Sequence, residues 1–303
     1  MRGTTLTTHP PVGYSMGHPE RSFFMEFETT MPMPNAHHDQ DEPFLSDLLV
    51  ALRFYSRLPV PRLANEKDPY RLPDFNRIAP ILPLAGLIIA LPAVIVLMAA
   101  DLVFAPLISA SLALSVQLLV TGAFHEDGLA DVADGFGGGQ DRARRLQIMT
   151  DSRIGTYGAS ALGLSLLLRI ATLAALLDLE GGPEAALLWL CAAPLSRIAG
   201  LLPMMVLANA KPDGKAAQVG KASPLSFGIG LALALFIALC LPLGIEKEFP
   251  HLILAVVLAL LAPLPLLHWA QKLIGGQTGD VAGAAQQVAE IAFLLALSAA
   301  VPA

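Results

Sequence analysis

Seven stretches of this chain are almost free of charge and about twenty residues long: 80–100, 102–121, 158–178, 185–208, 225–245, 250–270 and 284–302. A helix of roughly 20 apolar residues matches the ~30 Å hydrocarbon core of a bilayer. Within lipid, a helix also satisfies its own backbone hydrogen bonds. No other feature constrains the fold as tightly. The expected class is all-α, a polytopic integral membrane helical bundle of about seven transmembrane helices. Composition agrees, with 54% hydrophobic and 15% charged residues and a mean hydropathy of +0.61, whereas soluble domains are about 25% charged. A net charge of -6 argues against nucleic acid as a partner. Cys191 and Cys240 sit inside apolar runs and suit neither a disulfide framework nor a thiolate metal site. The 24 prolines and 25 glycines predict spans that are broken or kinked in places.

Residues 1–42 are polar and irregular, and no apolar core follows a basic start, so they are not expected to be a secretory signal. They read as a disordered N-terminal extension, with His37 and His38 part of a solvated tail rather than a metal pair. Residues 43–303 form the expected membrane-embedded domain. Its first segment, 43–62, carries Arg53 and Arg57 among apolar residues and should be an interfacial helix ending at Pro59. Residues 63–79 read as a polar linker, and 80–121 as a helical hairpin turning at Asp101. Seven spans place 16 of the 19 Lys and Arg on one side and Lys247 alone on the other, with Arg169 and Arg197 inside spans. Basic residues favour the cytoplasmic face. The tail and the segments 122–157, 209–224 and 271–283 are therefore expected to be cytoplasmic.

The chemistry is concentrated in the polar loop 122–157. In "HEDGLADVADG", Asp127, Asp131 and Asp134 are spaced i, i+4, i+7 and lie within about 60° on a helix. Like charges so arranged call for a cation, and hard carboxylate oxygens suit Mg²⁺ or Mn²⁺. The glycines at 135 and 137–139 read as a flexible turn, and Arg142, Arg144 and Arg145 as a basic anchor. Asp151 with Arg153, in "IMTDSRIGTYG", adds a fourth carboxylate and a guanidinium suited to phosphate. Arg57, Lys221 and the glycine-framed Asp280 of "GGQTGDVAGA" could converge on the same place. Intramembrane Arg197 and Arg169 call for a polar cavity or partners, Asp178 for Arg169 and Glu290 for either. These residues alone predict a divalent-metal enzyme at the membrane face acting on a phosphate-bearing substrate.

The strings "SRLPVPR", "FHEDGLADVADG", "IMTDSRIGTYG" and "GGQTGDVAGAA", with "SR" at 196–197 and "GK" at 220–221, run in order from about residue 44 to the C-terminus. In these the chain closely resembles the adenosylcobinamide-GDP ribazoletransferase (cobalamin synthase) family of vitamin B12 nucleotide-loop assembly. The resemblance implies an integral membrane transferase requiring Mg²⁺. It would join adenosylcobinamide-GDP to α-ribazole or its 5′-phosphate and release GMP. It implies catalytic roles for His125, Asp127 and Asp131, and metal or diphosphate binding by Asp127, Asp131, Asp134 and Asp151. Substrate binding falls to Arg57, Arg153, Arg197, Lys221 and Asp280. His125 is a candidate general base, with one of the aspartates as its rival. The implied location is the bacterial inner membrane, active face cytoplasmic, with other nucleotide-loop assembly enzymes as candidate partners. Glu126 departs from the expected apolar residue and is given no role.

Two other readings compete. A CDP-alcohol phosphotransferase-like lipid enzyme shares the chemistry. However, the arginine that follows "DG" in its pattern and its later G-x-x-x-D-x-x-x-D string are missing here. A transporter would suit the interrupted spans and intramembrane arginines, but it would place carboxylates near the bilayer midplane.

Overall fold

A computed structural model describes residues 44–64, 66, 68–211, 219–243 and 249–299. The expectations for the extension 1–42 fall outside them. Every regular element among the described residues is helical. The order is α1 (Phe44–Tyr55), α2 (Phe75–Ile78), α3 (Leu82–Asp101), α4 (Pro106–Thr121), α5 (Phe124–Gly138), α6 (Arg142–Ile148) and α7 (Thr156–Glu180). There follow α8 (Gly182–Ala199), α9 (Leu202–Val206), α10 (Pro224–Cys240), α11 (Phe249–Leu261), α12 (Leu264–Ile274) and α13 (Gly279–Leu297).

Among the described residues, five segments are long and apolar enough to cross a membrane: α3, α7, α8 with α9, α11 with α12, and α13. A sixth arises if α4 and α5 count as one span, although they meet at 88°. The expected seven thus becomes five to six. Helix α4 has 16 residues and α10 has 17, which at 1.5 Å per residue gives about 24 and 26 Å. Helix α5 turns across the axis of α4. Its elbow is built by Gly122 at φ 66° and Ala123 at φ 55°, two successive left-handed residues.

The 80–121 hairpin forms as expected, with α3 against α4. Its turn meets the α7–α8 turn, where the Gly182 backbone lies against the Asp101 carboxylate. Helix α8 is the most buried span, packed on α3, α10 and α13. Gly86 allows α3 to approach the Ala193 carbonyl and the Arg197 side chain, where even a Cβ would sit at 3.1 Å. Helix α1 ends at Tyr55, before Pro59. The stretch after it folds back rather than running as a free linker: Asp47 pairs with Arg71 and Arg77 at 3.1 Å, and Arg53 with Glu66 at 2.5 Å.

The segment 122–157 is not a loop but two helices. Helix α5 continues to Gly138, so glycines 135, 137 and 138 make no turn. They lie against Met149, the Tyr157 ring and Ile148. Arg142 and Arg145 also do more than anchor, donating to the carbonyls of Ala210 (2.9 Å) and Leu273 (3.4 Å).

Candidate active site

The segments rich in Lys and Arg meet at one end of the bundle around a cavity of about 650 Å³. Helix α5 packs directly on α13 there. Gly128 and Gly283 make this possible: a Cβ on Gly128 would sit 2.9 Å from the Asp280 carbonyl oxygen, and one on Gly283 would sit 3.4 Å from the His125 Cα. Asp127 of α5 and Asp280 at the start of α13 therefore line the same cavity, although 153 residues separate them.

Lys211 faces them, and sequence reasoning gave it no role. Its position follows from a short backbone pairing: Gln277 N–H donates to the Ala208 carbonyl and Ala210 N–H to the Gln277 carbonyl, each at 2.8 Å. The Gln277 side-chain amide also bonds to Asn209. Nothing in the spacing of "NAK" and "GGQTGD" signals this pairing. Thr278 caps α13 through Val281 N–H, and its hydroxyl donates to Asp280 at 3.1 Å. The N-terminus of α13, through Gly279, opens on the cavity, which favours anions.

Asp131 lies beside this group. Burial, together with the charges of Asp127, Asp280 and Asp134, pushes its carboxyl up to about 7. Among the described residues, no three acidic, His or Cys side chains converge closely enough to hold a metal by themselves. The donor chemistry is an incomplete carboxylate set whose negative charge Lys211 offsets only in part. That fits Mg²⁺, which takes one or two carboxylates and completes its shell with water and substrate phosphate.

The structure does not bring all four expected metal aspartates together. Asp134 accepts from Gly155 N–H at 2.6 Å and Gly158 N–H at 2.8 Å, capping α7 with both oxygens. Asp151 pairs with Arg153 at 2.6 Å on the exposed surface, where that guanidinium holds its carboxyl down at about 2. Arg57 is exposed and lies over the Gly122 elbow, tying it through its N–H to the Val120 carbonyl at 2.7 Å. Lys221 is exposed and outside the cavity wall.

His125 and Arg197 do line the cavity, and both are buried. His125 stacks on Tyr55 at 5.7 Å and 11°. Burial, aided by the Arg197 charge, lowers its imidazole to about 3, so it is neutral and weakly basic.

Behind the cavity lies a buried polar network that fixes α5. Arg169 of α7 pairs with Glu126 at 2.6 Å and with Glu290 of α13 at 3.0 Å. Gln287 joins Glu126, Arg169 and Ser165, while Gln286 links Glu290 to Ser196. Glu126 thus has a partner that sequence reasoning did not give it, and Glu290 rather than Asp178 is the second partner of Arg169.

The family model for cobalamin-5-phosphate synthase matches residues 47–298. The adenosylcobinamide-GDP ribazoletransferase of Azorhizobium caulinodans is 48% identical over 256 residues, covering 83% of this chain and 94% of that protein. The same-named protein of Xanthobacter autotrophicus is 50% identical, covering 82% and 94%. That of a Sinorhizobium species is 43% identical, covering 84% and 97%. No solved structure matches the chain. A family match over residues 47–298, with relatives 43–50% identical over more than four fifths of the chain, leads to one conclusion: this chain belongs to the cobalamin-5-phosphate synthase family.

Proposed function

We propose that the protein is an adenosylcobinamide-GDP ribazoletransferase, a multi-pass enzyme of the bacterial inner membrane that works at the cytoplasmic face. It joins adenosylcobinamide-GDP to α-ribazole or its 5′-phosphate and releases GMP. The observation that carries the reading is the meeting of Asp127, Asp280 and Lys211 in one cavity beside a helix N-terminus, in a chain of this family. Most of that wall comes from stretches whose excess of Lys and Arg favours the cytoplasmic side.

The donor's diphosphate sits between Lys211 and the N-terminus of α13, both of which favour anionic oxygens. Asp127 and Asp280 would hold Mg²⁺, its shell completed by water and phosphate oxygens, and the ion when bound supplies neutralisation of diphosphate charge. A hydroxyl of the acceptor ribose attacks the cobinamide-side phosphorus, forming a P–O bond as the bond to the GMP phosphate breaks. The hydroxyl proton passes to Asp131, whose carboxyl is brought into the neutral range by burial and by the charges of Asp127, Asp280 and Asp134. His125 is too weak a base for this and instead orders the wall with Tyr55. Lys211 balances the charge on departing GMP. Little covalent participation by the protein is needed for such a transfer.

The test is GMP release by a membrane preparation given adenosylcobinamide-GDP, α-ribazole and Mg²⁺. Release that disappears in Asp127→Asn is expected. Absence of release from the unmodified protein contradicts the reading, and solute flux in vesicles in its place favours a transporter.

A further inference from the structure

One wall of the cavity is aromatic, in contrast to the side that carries Asp127 and Asp280. Phe54 from α1, Phe75 from α2 and Phe124 from α5 converge with Tyr55, with ring centroids 5.5 Å (Phe54–Phe124) and 6.1 Å (Phe54–Phe75) apart. These rings offer faces and edges but no amide or carboxylate. Arg197 opens on the same cavity and is only 3% exposed. It forms no ion pair among the described residues. Its Nε has no partner, and Nη1 donates only to the Ala193 carbonyl at 3.0 Å. The guanidinium lies close enough to Tyr55 and His125 for its charge to act on both. The charges of Glu290 and Glu126 reach Arg197 only through space, with neither carboxylate in ion-pair contact; a buried cation so placed is incompletely compensated, and an entering anion would complete it.

We propose that this aromatic wall seats the acceptor, with its planar base against Phe54, Phe75 and Phe124 and its 5′-phosphate on Arg197. The inference rests on the ribazoletransferase reading and assigns that site's second substrate a place. A volume of about 650 Å³ accommodates one nucleotide, and a corrin ring with its side chains is too large for it. The donor's diphosphate belongs beside Asp127, Asp280 and Lys211, and its corrinoid remains outside the cavity. Guanine carries hydrogen-bonding edges that the phenylalanine wall leaves unmet, whereas a benzimidazole base has almost none. Arg197 then makes the site selective for the phosphorylated acceptor.

Equilibrium binding tests this without the donor. α-Ribazole and α-ribazole 5′-phosphate are titrated into the detergent-solubilised full chain, read by the fluorescence of the benzimidazole ring. The wild type is expected to hold the phosphorylated form at least about tenfold more tightly, as a charge-assisted phosphate contact requires. Arg197→Gln should abolish that preference and leave α-ribazole affinity unchanged. Arg197→Lys retains a buried charge and should keep part of the preference, which gives a reading if the Gln variant does not fold. Phe54→Ala should weaken both ligands by about tenfold, the loss of an aromatic contact. The proposal is overturned if Arg197→Gln keeps the preference, if it weakens both acceptors equally, or if GMP rather than acceptor binding is lost in Phe54→Ala. Failure of the ribazoletransferase reading shows separately, as no GMP release from the unmodified protein.

Discussion

Gly128→Ala tests how closely the two acidic segments must approach. The added Cβ would lie 2.9 Å from the Asp280 carbonyl oxygen and 3.1 Å from its Cα, both backbone atoms that cannot rotate away. Comfortable carbon contacts are about 3.5–4.0 Å, so α5 and α13 must part by roughly 0.5–1 Å. Overpacking of this kind costs about 1–3 kcal/mol of stability. The larger effect is expected on catalysis, because Asp127 and Asp280 would move apart by the same amount. Misplacement of reacting groups by about 1 Å costs around 10²-fold. GMP release from reconstituted Gly128→Ala protein should therefore fall about 10- to 100-fold, with a thermal midpoint only modestly lowered. A variant with kcat within twofold of wild type would refute the claim that close packing of these helices assembles the site.

Four residues give further expectations. Arg169→Met leaves Glu126 and Glu290 as buried carboxylates without their cation, and detergent unfolding should show a loss of about 3–5 kcal/mol; an unchanged midpoint contradicts the network. Asp131 has a folded pKa near 7 against 3.8 ordinarily, so the folded protein binds more protons between these values. Metal-free stability should therefore decline as pH rises from about 4 to 7. Added Mg²⁺ or Asp131→Asn should flatten that slope, and persistence of the slope in Asp131→Asn assigns it elsewhere. Asp134→Ala should cost about 1–2 kcal/mol as a lost helix cap. Asp134→Asn should retain most turnover, whereas Asp127→Asn should lose about 10²-fold or more; equal losses would make Asp134 a ligand rather than a cap.

Local periodicity made part of this site legible. The 3.6-residue repeat places Asp127 and Asp131 on one face, and glycines around Asp280 signal a close approach that Gly128 and Gly283 realise. The same periodicity misled for Asp134, because the amides of Gly155 and Gly158 that occupy it belong to the next helix. Arg169 announced itself as a costly intramembrane charge, but its partners lie 43 and 121 residues away. Lys211 depends on the pairing of 208–210 with Gln277, which leaves no trace in hydropathy. Five to six long apolar helices stand among the described residues rather than seven because α4 and α10 are 16 and 17 residues long. Hydropathy marks apolar length, but the elbow at Gly122 and Ala123 is a backbone conformation that no hydropathy window detects.

The central claim is that Asp127 and Asp280, from distant parts of the chain, serve one cation and one diphosphate. Mn²⁺ titrated into the purified protein with adenosylcobinamide-GDP, and no acceptor, can be followed by electron paramagnetic resonance. The account predicts a donor-dependent site that is lost in Asp127→Asn and lost again in Asp280→Asn. Full Mn²⁺ occupancy in either variant would contradict it.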